Sequence, residues 1–376
     1  MRFAIVTETY PPEVNGVALT VQGLEQGLRA LGHDVSLIRP RQPGDPQPGD
    51  DGAMLVAGAG LPRYPGLRFG FPAGGRLMAQ WRRQRPDAVY VATEGPLGWS
   101  AVRTAKRLGI PVATGFHTRF DDYVGRYGAA FLSPLVFAWL RRFHNRADAT
   151  LVPTRELADF LRGRGFERVE LLRRAVDTQL FDPARRDPAL RAAWGLQPDQ
   201  LVAIHVGRIA PEKNLELAVR AFRAIRSIRP DARFVLVGDG PARAALQAAN
   251  PDFIFAGVQR SESLARHFAS GDLFLFPSLS ETFGNVTLEA MASGVPVLAY
   301  DYGAAREHLR SHEYGMAVPC GDEFAFVAAA ERLARDSGLR SRLGREARQA
   351  VAGLKPSTVA EQFAALLTRL SLRSAA

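Results

Sequence analysis

The sequence predicts an α/β protein made of two doubly wound parallel-sheet domains. Short apolar runs at residues 2–9, 88–93, 201–206 and 273–276 alternate with stretches of helical period, the pattern of strands buried on both faces by crossover helices. The alternation runs through twice, and 376 residues suit two domains of ordinary size. Breakers come directly after several runs, at Asn15-Gly16, Gly207 and Gly238-Asp239-Gly240-Pro241, at the carboxyl ends of strands where such sheets hold ligands.

In chain order, the first strand at 2–9 leads through Tyr10-Pro11-Pro12 to a helix at 17–31, with Val21, Leu24, Leu28 and Leu31 on one face. Gly16, just before it, would let a backbone approach a ligand closely. A strand at 34–40, an exposed loop at 42–52 and a strand near Met54 come next. Residues 61–85 then mix Tyr64, Phe69, Phe71 and Trp81 with Arg63, Arg68, Arg76, Arg82, Arg83 and Arg85. The mix suits an anionic membrane surface, and it reads equally as a helix burying Leu77, Met78 and Trp81 with its arginines in water. Strands at 88–93, 112–116, 150–153 and 169–172 alternate with helices from Leu97 and over 132–146. The first domain is expected to span 1–182. The second, 183–355, carries strands at 201–206, 233–237, 253–258, 273–276 and 295–300, with a helix from Leu215. A last helix within 356–376 carries Val359, Phe363, Leu366, Leu367 and Leu370 on one stripe and is expected to dock, back on the first domain.

The formal charge is +10, and residues 1–180 hold most of it, with 24 Lys+Arg against 17 Asp+Glu. Such a surface attracts polyanions without selecting among them, and it is also what an arginine-rich solvated surface looks like. The single Cys320 excludes an intrachain disulfide and points to a reducing compartment. The N-terminus has no signal-peptide pattern, and the apolar run 129–140 is too short to span a bilayer. A cytoplasmic protein, peripheral on the inner face of the membrane, is expected. No GxxxxGK[ST] loop, GxSxG elbow, paired histidines or cysteine cluster is present, which argues against NTPase, hydrolase and metal readings.

The richest stretch is 275–296, LFPSLSETFGNVTLEAMASGVP. Glu281 lies in a loop, and Phe283-Gly284-Asn285 interrupt the chain before a helix expected at 286–293. The open amides of that helix end suit a phosphate, and Glu289 sits one turn inside. Arg208 and Lys213 come after the strand at 201–206, where two cations can neutralise a diphosphate. Lys213 would occupy a helical first turn, an unfavourable place for a cation without a ligand. His117 ends the strand at 112–116 and runs into Thr118-Arg119-Phe120-Asp121-Asp122-Tyr123; it reads as a polar group at a ligand cleft or as a structural hydrogen-bonder.

With these residues in view, the chain resembles the retaining GT-B glycosyltransferases of family GT4 over nearly its whole length. Glu281 and Glu289 look like the family's E-x7-E motif, Arg208 and Lys213 like its paired diphosphate-binding cations, and Gly16 like its N-terminal glycine turn. Gly238-Asp239-Gly240-Pro241 resembles its G-x-G-P turn, and Val176-Asp177 with Phe181 its domain-end signature. Residues 115–121 and the opening Thr7-Glu8-Thr9-Tyr10-Pro11-Pro12 look most like the branch of GDP-mannose-dependent α-mannosyltransferases and sulfolipid-forming transferases. Asn15, Ala175 and Ala304-Ala305 depart from the family's glycines.

The resemblance implies two Rossmann-like domains facing a cleft, an N-terminal acceptor domain and a C-terminal donor domain. It implies that Glu289 binds ribose hydroxyls and Glu281 the donor sugar. Asn285, Val286 and Thr287 would bind phosphate, Arg208 and Lys213 would stabilise the leaving diphosphate, and His117 would stand near the anomeric centre. The expected activity is retaining transfer of a hexose, mannose favoured, from a nucleotide-diphosphate sugar to the hydroxyl of a lipid or lipid-linked glycan. GDP-mannose is favoured over a UDP-sugar as donor, with no cofactor, no metal and no nucleic-acid partner. A sugar-nucleotide 2-epimerase or hydrolase on the same scaffold, or a non-enzymatic basic binding module, remains open on the residues alone.

Overall fold

The computed structural model describes residues 1–13, 15–42, 45, 53–60, 68–117, 133–309 and 312–375. Expectations at residues 43–44, 46–52, 61–67 and 118–132, including Arg63, Tyr64 and the segment after His117, lie outside the described residues. The chain divides into two units, Met1–Ala175 with Pro356–Ala376, and Val176–Lys355. The division falls at Val176 instead of 182/183 because the intervening residues bond to the second unit. The Val176 amide donates to the Leu354 carbonyl at 2.9 Å, and Arg348 pairs with Asp182 and donates to the Phe181 carbonyl at 3.1 Å.

In the first unit the strands are β1 (Arg2–Val6), β2 (Asp34–Pro40), β3 (Met54–Val56), β4 (Gly58–Gly60), β5 (Arg68–Gly70), β6 (Ala88–Val91), β7 (Val112–Gly115), β8 (Ala149–Val152) and β9 (Val169–Leu171). Seven form a sheet in the order β3-β2-β1-β6-β7-β8-β9, while β4 and β5 make a separate antiparallel pair. The helices are α1 (Gly16–Ala30), α2 (Gly74–Arg83), α3 (Pro96–Arg107), α4 (Ser133–His144) and α5 (Arg155–Arg162). Alternate residues of β1 serve opposite faces: Phe3 and Ile5 join Val21, Leu24 and Leu28 of α1, and Ala4 and Val6 join Leu77 and Trp81 of α2. Thus α2 buries Leu77 and Trp81, as the core reading of 61–85 expects, leaves Met78 only half-buried against that reading, and leaves Arg82 and Arg83 exposed.

Asn15, a departure from the family's glycine, caps α1. Its side chain accepts from the Ala18 amide at 2.8 Å and donates to Thr9 at 2.7 Å. The C-terminal helix, Pro356–Ala375, lies in this unit too. Its stripe of Val359, Phe363, Leu366, Leu367 and Leu370 enters the core of Phe3, Ile5 and Tyr90. A Cβ on Gly27 would stand 2.5 Å from the Ala360 methyl, so the two helices close only over a bare glycine.

The second unit has β10 (Val202–Val206), β11 (Arg233–Val237), β12 (Ile254–Gly257), β13 (Leu273–Phe276), β14 (Val297–Tyr300) and β15 (Met316–Val318). They form one parallel sheet in the order β12-β11-β10-β13-β14-β15. Its helices are α6 (Pro188–Ala193), α7 (Leu215–Ile228), α8 (Arg243–Ala249), α9 (Ser261–Ala269), α10 (Asn285–Ala292), α11 (Gly303–His308), α12 (Glu323–Arg335) and α13 (Ser337–Val351). Val202, Ile204, Phe274 and Phe276 pack on one face, and Ala203, Phe234, Leu273 and Leu275 on the other. Both faces are therefore dry, and the carboxyl edge is what the sheet has left for function.

Phe363→Ala removes a fully buried ring that meets Tyr90 edge-on, with 4.9 Å between ring centroids. It is expected to cost about 3–5 kcal/mol, read as a lowered urea midpoint whose loss of protection by hydrogen exchange falls in residues of the first unit.

Candidate active site

In the second unit the loops after β10, β11 and β13 converge. A Cβ on Gly238 would meet the Gly207 carbonyl at 1.9 Å, and one on Gly240 the Ile209 carbonyl at 2.3 Å. Only glycines let these backbones touch. The Ile209 amide then donates to the Asp239 carbonyl at 2.9 Å, and the Ala242 amide to the Ile209 carbonyl at 3.0 Å. The chain continues into a short 3₁₀ turn, Pro211–Lys213, closed by Asn214 in the left-handed region at φ 51° before α7 begins at Leu215. Lys213 is therefore outside α7, and the unfavourable first-turn cation expected from the sequence does not arise. An ion pair holds it instead. Lys213 Nζ contacts Glu281 Oε1, which also accepts from Ser278 Oγ at 2.8 Å. The Leu279 amide donates to the Glu212 carbonyl at 2.9 Å, tying the β13 loop to the β10 loop. Arg208 Nη1 lies 3.7 Å from Glu212 Oε1.

Gly284, at φ 92°, turns the chain into α10, and no side chain caps that helix. Asn285 and Val286 stand at the open end, and the Thr287 amide closes back on the Gly284 carbonyl at 3.0 Å. Glu289 lies one turn in. It is half-buried, and among the described residues its carboxylate accepts no hydrogen bond, so burial pushes it up to about 7. Ala304 and Ala305 are buried in α11, and the Ala304 amide donates to the Phe283 carbonyl at 2.7 Å, bracing the segment before Gly284. The structure thus pairs Lys213 with Glu281, keeps Arg208 beside Glu212 on the same loop, and sets Asn285, Val286, Thr287 and Glu289 on one uncapped helix.

Gly16 and His117 belong to the first unit. Gly16 is the first residue of α1. Both ring nitrogens of His117 are occupied: Nδ1 accepts from Arg174 Nη2 at 2.6 Å, and Nε2 lies 2.7 Å from the Tyr90 hydroxyl. An arginine can only donate, so the proton of the neutral ring is assigned to Nε2. Burial, then the Arg174 charge, hold His117 well below the ordinary imidazole range. The structural hydrogen-bonding read for His117 is present, and its partners, Tyr90 and Arg174, had no local sequence signal. Glu8 was also missed as a side chain with a task. It accepts from the Leu97 amide at 2.9 Å at the start of α3, and burial raises it to about 7. The ending of a strand in Thr-Glu-Thr was the available signal.

Family models described as "Glycosyl transferases group 1" and "Glycosyltransferase Family 4" match residues 200–336 and 14–180. A GDP-mannose-dependent alpha-mannosyltransferase of Mycolicibacterium smegmatis is 36% identical over 385 residues, covering 100% of both chains. This chain belongs to glycosyltransferase family 4. An alpha-monoglucosyldiacylglycerol synthase of Acholeplasma laidlawii is 28% identical, over 80% of this chain and 81% of that protein. The sucrose-phosphate synthase of Thermosynechococcus elongatus, 20% identical, superposes with a TM-score of 0.77 over 98% of each chain, so the family 4 fold here is GT-B. The chain is a glycosyltransferase that takes its sugar from a nucleotide sugar.

The raised Glu289 gives a pH signature. The fold tolerates the neutral acid better than the carboxylate, so stability falls as pH rises from the ordinary value of 4.5 through about 7. Glu289→Gln removes that loss. Its Tm is expected to exceed that of the parent at pH 8 and to match it near pH 4.5 by scanning calorimetry; a constant gap across this range would contradict the buried-carboxylate assignment.

Proposed function

We propose that the protein transfers mannose from GDP-mannose to the hydroxyl of a lipid or lipid-linked glycan, with retention of configuration and without a metal ion. The observation that carries the reading is the Lys213–Glu281 pair beside an uncapped helix end that bears Glu289, which has no partner among the described residues. A nucleoside diphosphate sugar offers what this set lacks: hydroxyls for Glu289, phosphate oxygens for the open amides of Asn285 and Val286, and negative charge for Lys213 and Arg208. Glu281 orients the donor sugar while its bond to Lys213 keeps the ammonium on the leaving diphosphate. Charge developing on that leaving group is the largest demand of the reaction, and fixed cations meet it without reorganisation. The second unit is then the donor half and the first the acceptor half.

Two relatives support the finer assignments. The Mycolicibacterium smegmatis protein is an alpha-mannosyltransferase dependent on GDP-mannose, and GDP-mannose carries its sugar in the α configuration, so an α product means retention. The Acholeplasma laidlawii protein is named for a glycosylated diacylglycerol, which favours a lipid acceptor. A lipid acceptor would be met at the membrane surface, with the exposed Phe71, Arg76, Arg82, Arg83 and Arg85 of the 61–85 stretch as the contact and Trp81 kept in the core; among the described residues no helix is long and apolar enough to cross a membrane. His117 Nε2–H serves a hydroxyl of the donor sugar by exchanging its bond to Tyr90. No side chain is assigned as nucleophile; in a front-face transfer the leaving phosphate accepts the acceptor's proton.

With GDP-mannose as donor, Lys213→Ala is expected to lower turnover about 100-fold, and a near-normal rate would remove Lys213 from the diphosphate site. NMR of the product is expected to show the α anomer, and EDTA is expected to leave the rate unchanged. A β product or loss of activity in EDTA would overturn the corresponding part of the reading.

A further inference from the structure

Among the described residues Arg174 is a charge without a counter-charge. It lies just past β9 at the carboxyl edge of the first unit's sheet, is only 9% exposed, and donates one hydrogen bond, to Nδ1 of His117 at 2.6 Å. A guanidinium has five N–H donors, and within the described residues this one spends a single donor. Among the described residues no carboxylate pairs with it. The two buried acids of the same edge are engaged elsewhere: Glu8 holds the α3 amides, and Glu94 Oε1 lies 3.4 Å from His144 Nε2. Its nearest polar neighbours are neutral, since burial raises the Tyr90 hydroxyl and lowers His117. Burial also lowers Arg174, to about 10, which leaves it charged at neutral pH. Taking a cation out of water without an anion is unfavourable, and a fold that needed only a donor for His117 could have used a neutral amide.

We propose that the Arg174 guanidinium, steadied by His117 and Tyr90, is an anion site of the first unit that receives a phosphate group of a substrate. The chemistry is that of a planar cation taking two phosphate oxygens in a partly desolvated setting. In naming a substrate phosphate the inference rests on the transferase reading, in which two sources exist: the diphosphate of the donor, or a phosphate carried by a lipid acceptor. His117 is then a positioning residue, because its Nδ1 fixes one edge of the guanidinium and leaves the other for the ligand.

The test compares the parent chain with Arg174→Met and Arg174→Lys. Binding of inorganic phosphate, GDP and phosphatidylinositol vesicles is measured by calorimetry, with diacylglycerol vesicles as the phosphate-free control. Arg174→Met is expected to weaken inorganic phosphate at least tenfold while its Tm equals or exceeds the parent's, the sign of a group kept for function at a cost in stability. Arg174→Lys is expected to recover part of the affinity. Weaker GDP binding alone assigns the donor diphosphate, and weaker phosphatidylinositol binding alone assigns the acceptor phosphate. Unchanged affinities for all three probes, or a marked fall in Tm with affinities intact, would overturn the proposal and leave Arg174 a structural donor. Should Arg174→Met not fold, the His117 ring signals of the parent decide by NMR: they are expected to shift on adding inorganic phosphate, and no shift at saturating phosphate overturns the site. Lack of transfer by the parent from any nucleotide sugar would defeat the transferase reading while the phosphate measurements still judged Arg174.

Discussion

The backbone contact between the loops after β10 and β11 sets the course of the chain through the second unit's site. Gly207 at φ 153° and Gly238 at φ 136° lie so close that a Cβ on Gly238 would overlap the Gly207 carbonyl. Because nothing intervenes, the Ile209 and Asp239 backbones can bond, and the chain from Arg208 to Lys213 is carried along the sheet edge toward the β13 loop. The left-handed Asn214 then separates the 3₁₀ turn of Lys213 from α7, so the ammonium can turn to Glu281 and avoid the positive end of that helix. A side chain at Gly238 would act on the ion pair without touching either partner.

The ion pair and the helix end solve different electrostatic problems. Lys213 and Glu281 neutralise one another, at side-chain exposures of 15% and 16%, so the loops can fold around them in the absence of ligand. Glu289 has no such relief and survives by holding its proton more tightly. The α10 terminus carries its partial positive charge with no acid in the first turn to cancel it. A ligand that brings hydroxyls to one carboxylate and phosphate to the amides relieves both in one event.

Much of the fold was legible, since a buried parallel strand is a run of apolar residues and little else. Arg233–Val237, Leu273–Phe276 and the start of α7 at Leu215 fall where the apolar runs and breakers put them. The stripe on the C-terminal helix was legible for the same reason, each of its five residues being buried. Strand ends were overrun at residues 7–9 and 92–93, where Thr7, Glu8 and Thr93 look extended in sequence but spend their bonds on loop contacts: Thr7 on Thr9, and Glu8 on Thr93 and α3. Within the candidate site, the local layout was legible over the nine residues from Glu281 to Glu289, where the breaker at Gly284 and the helix that places Glu289 one turn inside follow from the sequence. It was illegible where partners meet from a distance: Tyr90 and Arg174 reach His117 across 27 and 57 residues, and no periodicity encodes that meeting.

The two units also differ in how they carry charge. At the second unit's sheet edge each cation has an acid beside it, Lys213 with Glu281 and Arg208 with Glu212 at 3.7 Å. At the first unit's edge the acids are spent on the α3 amides and beside His144, and the cation is buried against neutral rings. Paired cations can exchange an internal acid for a ligand phosphate, gaining little but losing little, which suits a diphosphate that must leave after each turnover. An unpaired buried cation gains more from its first anion, because the desolvation cost is already borne by the fold. Binding at such a group is therefore expected to depend steeply on the presence of one phosphate, and a guanidinium lowered only to about 10 keeps that dependence across the physiological pH range.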